Sequence, residues 1–166
     1  ISYEFEPCDI LKAREILISR TQKYVKASGE DWNSIMVGIM QPKGNIHLHI
    51  GTPLTSEEIA AAAQCDKNDR YQLIRNAVDK RVVEGYKLWP NNYLAYDILN
   101  STDKYSANYS AEDKAKFLAY MEHQLDTVEP EINREDLRRI FLDIYANPVV
   151  TKELLQKEKV TGAILL

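Results

Sequence analysis

Two histidines stand where a metal site could be built. His47 and His49 are separated by one residue in a segment, residues 45–50, that alternates polar and apolar side chains, so a strand would place both imidazoles on one face. Metal sites use this spacing, but they also need a third ligand and groups that orient each ring, and the sequence supplies no such partner. We therefore predict two polar residues on the solvent side or the helix-covered side of an edge strand, with no metal and no cofactor.

Cys8 lies between Pro7 and Asp9 at the start of a predicted helix. Backbone N–H groups and the helix dipole can lower the pKa of a thiol there and favour a thiolate. A small, buried side chain at a strand-to-helix corner is the favoured alternative. Cys8 and Cys65 lack metal-ligand spacing, so we predict two free thiols in a reducing compartment.

The sequence lacks several motifs that are typical of particular enzyme classes. It contains no Gly-x-Ser-x-Gly, so it has no nucleophile elbow of a hydrolase. It contains neither Gly-x-x-x-x-Gly-Lys nor Gly-x-Gly-x-x-Gly, so binding through a phosphate loop is not expected.

The length and the net charge of the chain exclude further classes of protein. The 166 residues are enough for one domain, and 21 Lys and Arg against 25 Asp and Glu give a net charge of −4. A dedicated nucleic-acid binder needs an excess of cations, so no nucleic-acid partner is predicted. The longest uncharged stretches, residues 32–42 and 44–56, are too short and too polar to span a bilayer.

A basic face is predicted on the first helix, opposite its apolar stripe. Such a face could be ordinary solvated surface, which is the favoured interpretation, or it could attract a phosphorylated substrate or an anionic membrane. Its cations are Lys12, Arg20, Lys23 and Lys26.

Aromatic and amide side chains are concentrated at one break in the pattern, residues 86–97. This composition fits either a packed loop whose polar atoms find partners or an aromatic patch at a membrane interface. Core packing is the favoured interpretation.

The elements that must position these residues are two strands and six or seven helices. The strands are predicted at residues 1–5 and 45–50. The first helix runs over residues 9–27, with Asp9 as its N-cap and Gly29 as its C-cap, and residues 32–40 favour a short helix.

Helices fill the rest of the chain. A capping box at residues 55–58 starts one, a longer one ends near Gly85, and a short one covers residues 93–99. Ser110 and Asn133 cap two more, and Asn147-Pro148 is expected to separate the last helix.

Two strands are too few for an independent sheet. The prediction is therefore an α/β parent whose other strands precede residue 1, with this chain as its helix-rich C-terminal part. Residues 1–54 would be associated with the sheet and residues 55–166 would be helical, together forming one segment. Strand edges left unpaired could allow self-association.

Three blocks resemble the C-terminal part of bacterial glycerolipid acyltransferases of the Bacteroidetes type, the 1-acylglycerol-3-phosphate acyltransferase family. The blocks are Ile-Ser-Tyr-Glu-Phe-Glu-Pro-Cys-Asp-Ile-Leu-Lys-Ala at residues 1–13, Lys-Gly-Asn-Ile-His-Leu-His-Ile-Gly-Thr-Pro-Leu at 43–54, and Trp-Pro-Asn-Asn-Tyr-Leu-Ala-Tyr-Asp at 89–97. The resemblance covers about residues 1–99, and the remainder matches only in its helical character.

The resemblance implies transfer of a fatty acyl group from an acyl-thioester, acyl-CoA or acyl carrier protein, to a glycerophosphate or lysophospholipid hydroxyl. The work would be done in the cytoplasm, at the inner face of the cytoplasmic membrane. Candidate lining residues of the cleft are Tyr3, Glu4, Glu6 and Lys12.

The family's catalytic pair is a His followed five positions later by an Asp. Thr52, Leu54 and Val128 stand five positions after the three histidines, so the chain has no residue for the catalytic role. The family's Glu-Gly block for the glycerol phosphate is also missing, since it lies between the catalytic His and the strand that opens this chain. The fragment alone is expected to be inactive. The alternative is a non-catalytic helical module that binds a partner protein or an anionic membrane through its basic first helix.

Overall fold

The computed structural model describes the backbone of residues 1–164 and the side chains of residues 1–157. Within this part the chain forms seven α-helices, one 3₁₀ turn and two short strands, which confirms the predicted helix-rich character. The strands are β1 (Ser2–Tyr3) and β2 (Ile46–His47), paired in a two-stranded sheet. The helices are α1 (Asp9–Ser19), α2 (Glu30–Met40), α3 (Ser56–Ala63), α4 (Lys67–Gly85), α5 (Pro90–Asn100), α6 (Ala111–Leu125) and α7 (Arg134–Ile164).

The chain divides into two compact units that alternate along the sequence. The larger unit contains Ser2–Ile46 and Leu88–Val149. The smaller unit contains Ile1, His47–Lys87 and the part of α7 from Val150 onward.

The larger unit is built around one apolar core. Phe117 and Met121 of α6 pack with Phe141 and Tyr145 of α7, and the four side chains are almost fully buried. The ring of Phe117 meets that of Tyr145 edge-on, with centroids 5.0 Å apart. Helix α5 and the segment from β1 into α1 complete the core with Leu94, Ala95, Phe5, Ile10 and Ala13.

The smaller unit buries far fewer apolar side chains than the larger unit. Among its described side chains, the buried apolar ones are Ala62 of α3 and Val83 of α4. An ion pair joins the two helices, because the Arg81 guanidinium lies 2.7 Å from the Glu58 carboxylate. Arg81 also donates to the backbone oxygen of Ala77.

Most helix starts are where the sequence places them. Thr55 accepts from the Glu58 N–H in the predicted capping box, and Ser110 caps α6 in the same way. The Asn133 side chain accepts from the N–H groups of Glu135 and Asp136 at the start of α7. Helix α4 ends at Gly85, as predicted.

The first helix differs from the prediction at both ends. Cys8 is the N-cap, in a left-handed conformation at φ 60°, and Asp9 is a buried residue of the first turn. The helix ends at Ser19, well before residue 27, and the Thr21 hydroxyl donates to the Ile18 carbonyl there, which offers the backbone an alternative to further helix. Gly29, at φ 81°, precedes α2 and is its N-cap instead of the C-cap of α1.

Two proline positions also correct the prediction. Pro90 is the first residue of α5, where its missing N–H costs nothing, so the helix begins before residue 93. Pro148 lies inside α7 and does not interrupt it. Proline removes one backbone donor, and the burial of Tyr145, Ala146 and Val149 around it holds the helix in place.

Both strands are shorter than the alternation predicts. The pairing extends slightly beyond the strands, because the Glu4 N–H donates to the Asn45 oxygen and the Phe5 N–H to the Lys43 oxygen. Residues 48–50 keep the alternating sequence but are not part of a strand. The described residues form one two-stranded sheet, so the larger α/β sheet of a parent protein stays a prediction.

Candidate functional site

The exit of β1 carries a buried carboxylate, Glu4, which is 7% exposed. It accepts hydrogen bonds from the Lys116 ammonium at 2.6 Å and from the backbone and side-chain nitrogens of Asn45 at 2.9 and 2.7 Å. The Asn91 amide donates to the Glu4 backbone oxygen at 2.6 Å. We call Glu4, Asn45, Asn91 and Lys116 the Glu4 cluster.

The electrostatics of this cluster favour a charged carboxylate. Burial alone raises the pKa of Glu4, but the hydrogen bonds from Lys116 and Asn45 outweigh that effect and bring the pKa below its ordinary value. The carboxylate thus joins the β1–β2 pair to helix α6.

A second buried carboxylate, Asp9, lies at the start of α1. Its Oδ2 accepts from the hydroxyls of Tyr120 at 2.8 Å and Tyr145 at 2.7 Å. Its Oδ1 accepts from the Ile10 N–H at 2.8 Å and from the Gln41 amide at 3.2 Å. Asp9, Gln41, Tyr120 and Tyr145 form the Asp9 cluster.

Burial dominates the acid–base behaviour of the Asp9 cluster. It raises the pKa of Asp9 despite the four hydrogen bonds, and together with the Asp9 charge it raises the pKa of both tyrosines. The phenols therefore stay protonated and act as donors. Because its acceptors are already occupied, Asp9 holds structure in place and offers no free base to a substrate.

Two neighbours of Asp9, Glu6 and Cys8, are half-buried. The Glu6 N–H donates to the Tyr145 hydroxyl, and burial followed by the Asp9 charge raises the pKa of the Glu6 carboxyl. The Cys8 thiol donates to the Ser34 oxygen at 3.1 Å. Burial and Asp9 raise the pKa of this thiol, which is the opposite of an activated thiolate and favours the packing role. Cys8 and Cys65 are both free thiols.

The candidate lining residues of the cleft are Tyr3, Glu4, Glu6 and Lys12. Tyr3 is half-buried in β1, and Glu4 is engaged within its cluster. Lys12 is exposed on α1, with its ammonium 3.3 Å from the Glu15 carboxylate. The structure places the four on one continuous run from β1 into α1, and their contact with a substrate stays a prediction.

The predicted basic helical face does not form. Lys12 belongs to α1, whereas Arg20, Lys23 and Lys26 follow the end of the helix at Ser19. All four are exposed, and the Lys26 ammonium lies 2.5 Å from the Asp31 carboxylate at the start of α2. The assignment to one helix was wrong because the helix ends early, and Arg20, Lys23 and Lys26 lie in the loop that leads into α2.

Helix α2 carries a surface that the sequence analysis did not identify. None of its residues is buried, and Trp32, Ile35, Ile39 and Met40 are exposed by 68, 54, 68 and 74%. Their three- and four-residue spacing was a visible signal of one helical face. That this face points outward depends on the tertiary packing and was not visible.

His47 and His49 both lie at the carboxyl end of α4. The His47 Nε2 is 3.2 Å from the Gly85 oxygen, and a Cβ on Gly85 would lie 2.0 Å from the His49 ring. Over the described residues, no group of three or more His, Cys, Asp and Glu side chains is arranged to hold a metal ion.

The aromatic break is packed, in line with the favoured interpretation. Trp89, Asn91 and Asn92 are buried, and the Tyr93 ring lies 5.2 Å from that of Tyr105. The buried Asp97 accepts from the Tyr105 N–H and the Tyr109 hydroxyl.

In the part of the chain that the structure describes, no helix combines the length and the apolar character needed to cross a membrane. Comparison of the chain with protein-family models, curated proteins and solved structures finds no match.

Proposed function

We propose that this chain is the C-terminal part of a glycerolipid acyltransferase. The reaction would move a fatty acyl group from an acyl-thioester, acyl-CoA or acyl carrier protein, to a hydroxyl of a glycerophosphate or lysophospholipid. The proposal starts from the three sequence blocks at residues 1–13, 43–54 and 89–97.

One observation carries the proposal: these three blocks meet at a single residue. The Glu4 N–H of the first block donates to the Asn45 oxygen of the second at 2.9 Å. The Asn91 amide of the third donates to the Glu4 oxygen at 2.6 Å. Blocks that are far apart in sequence thus form one hydrogen-bonded unit, as expected if they serve one site.

The chain's own residues would support the reaction without performing it. Acyl transfer needs a general base within hydrogen-bond reach of the hydroxyl, held by a carboxylate. None of the three histidines has an Asp five positions later, so a preceding part of the polypeptide would supply His-x-x-x-x-Asp. In this proposal the Glu4 cluster fixes β1, and Tyr3, Glu6 and Lys12 line one wall of the acceptor site.

The test uses the reading frame extended upstream of residue 1. The extended protein should contain His-x-x-x-x-Asp and should transfer labelled acyl groups from acyl-CoA or acyl carrier protein to glycerol 3-phosphate or lysophosphatidate. Replacing its catalytic His by Ala should abolish turnover. Absence of the motif, or no turnover with any of these donor and acceptor pairs, would reject the proposal.

Two variants within residues 1–166 test whether the Glu4 cluster contributes to the activity measured in that assay. Asn91→Ala removes the bond to the Glu4 oxygen and should lower turnover severalfold. Asn76→Ala is the matched control, because Asn76 is an exposed residue of α4 whose side chain, among the described residues, accepts a hydrogen bond from Gln72. Equal activity of the two variants would mean that the Glu4 cluster does not contribute to acyl transfer.

A further inference from the structure

Helix α2 leaves four large apolar side chains exposed, while Ser34, Met36, Val37 and Gly38 are half-buried. Its Ser34 oxygen accepts from the Cys8 thiol, and a Cβ on Gly38 would lie 3.1 Å from the same sulfur. Trp32 and Ile39, in contrast, are each 68% exposed. A globular protein normally turns the large apolar side chains of an amphipathic helix toward its core.

The exposed side chains form one continuous face. At 100° per residue, Trp32, Ile35 and Ile39 fall within about 60° of arc, and Met40 lies beside them. A contiguous group of large, exposed apolar side chains marks a surface that contacts an apolar phase or partner. We call Trp32, Ile35, Ile39 and Met40 the α2 face.

Cations lie at both ends of this helix. Lys26 pairs with Asp31 in the first turn, and the Lys43 ammonium donates to the Ile39 and Gln41 oxygens at the last turn. Residues 20–43 contain four cations and two acids, and both acids are already engaged, Glu30 with the Tyr24 hydroxyl and Asp31 with Lys26.

The loop before α2 repeats this mixture of positive and apolar residues. Arg20 and Lys23 are exposed and form no ion pair with the residues that the structure describes. Val25, between Lys23 and Lys26, is 78% exposed. Free cations beside apolar side chains suit a surface that is negatively charged outside and apolar beneath.

We propose that the α2 face and the loop of residues 20–29 bind the surface of an anionic lipid bilayer. The α2 face enters the boundary between headgroups and acyl chains, where a tryptophan such as Trp32 is favoured. Arg20, Lys23, Lys26 and Lys43 contact lipid phosphates. An apolar protein partner could cover the α2 face, but the surrounding cations favour the bilayer.

The proposal rests on α2 and its flanks, not on acyl transfer, so it can be tested on the purified chain. The sequence has two tryptophans, the exposed Trp32 and Trp89, which is 8% exposed. Vesicles of phosphatidylcholine with 30% phosphatidylglycerol should shift the Trp32 emission to shorter wavelength and should sediment with the protein. Pure phosphatidylcholine vesicles should do so at least about tenfold more weakly, because several cations act together. Trp32→Phe should remove the emission shift.

Matched double variants identify the surface. Ile35→Glu with Ile39→Glu should lower vesicle binding at least about tenfold. Val78→Glu with Val82→Glu is the control, since these two exposed residues of α4 have the same spacing, and it should bind like the parent chain. Lys23→Glu with Lys26→Glu should remove the preference for phosphatidylglycerol. Circular dichroism checks that each variant keeps its helices.

Three results would overturn the proposal. One is equal binding to charged and neutral vesicles. Another is equal loss of binding in the α2 and α4 double variants. The third is a Trp32 shift that appears without lipid and grows with protein concentration, which would make a second copy of the chain the occupant.

Discussion

Glu6 holds a half-buried carboxyl next to the buried carboxyl of Asp9. Burial and the Asp9 charge raise its pKa above the ordinary value of 4.5. The native state therefore binds more protons than the unfolded chain as the pH rises from about 4.5 to the raised pKa, and stability falls over that window. Glu6→Gln should stabilise the protein at pH 7 and change little below pH 4.

Urea unfolding of both proteins at a series of pH values measures this effect. The control is Glu131→Gln, which removes an exposed carboxyl in the loop before α7. A Glu6→Gln difference that stays constant from pH 4 to pH 7 would contradict the assignment.

The sequence indicated that the segment around Asp9 is important, but it did not predict the roles of the residues in that segment. Asp9 was predicted as a helix cap, which needs only neighbours a few positions away. Its actual partners, Tyr120 and Tyr145, are 111 and 136 residues away. Contacts over such separations are set by the fold, so the buried clusters could not be derived from local patterns.

Among the elements, the turn into β2 offers a direct test of the Glu4 cluster. Gly44 has φ +62°, and a Cβ there would lie 2.5 Å from the Glu4 carboxylate oxygen. Gly29 has a similar φ of +81° but nothing within 4 Å.

Substitution by alanine separates backbone strain from crowding. Gly29→Ala should cost about 1 kcal/mol, the strain of a left-handed residue with a Cβ. Gly44→Ala should cost roughly 2–3 kcal/mol, because it also displaces a buried carboxylate from its donors. Urea unfolding measures both values, and equal losses would mean that the Glu4 cluster tolerates an added methyl group.

Element boundaries were predictable where local side chains set them. The capping boxes at Thr55 and Ser110 are such cases, since every partner lies within three residues. The end of α1 and the passage of α7 through Pro148 were not predicted. The latter depends on burial of Tyr145, Ala146 and Val149, which a local pattern does not reveal.

At the scale of the molecule, the two units should differ in stability. The core residues lie in the larger unit, whereas α4 buries Val83 and exposes Tyr71, Val78 and Val82. Segments with few buried contacts open at lower free energy. Backbone amides of α4 should therefore exchange at least about a hundredfold faster than those of α6.

Hydrogen exchange followed by mass spectrometry checks this prediction. Phe141→Ala should cost about 3–5 kcal/mol and accelerate exchange in α6, because the fully buried Phe141 of α7 packs against Phe117 of α6. Equal protection of α4 and α6 in the parent chain would show that the two units open together.

The helix-rich character of the chain was predicted from the sequence, but its division into two compact units was not. Helix content follows from local spacing, and the described residues contain seven helices and two strands, where six or seven helices and two strands were predicted. The two units alternate along the chain, with residues 47–87 inserted between segments of the larger unit. No shift in composition marks such an insertion, so only the contacts reveal it.

The Glu4 cluster also limits how this sequence can drift during evolution. Lys116, Asn45 and Asn91 all direct donors to Glu4, and Gly44 leaves the space that its carboxylate occupies. A change of the Glu4 side chain leaves the donors of Lys116 and Asn45 without their acceptor, and a side chain at Gly44 leaves the carboxylate without room. We therefore expect Glu4, Gly44, Asn45 and Lys116 to be substituted together or retained together.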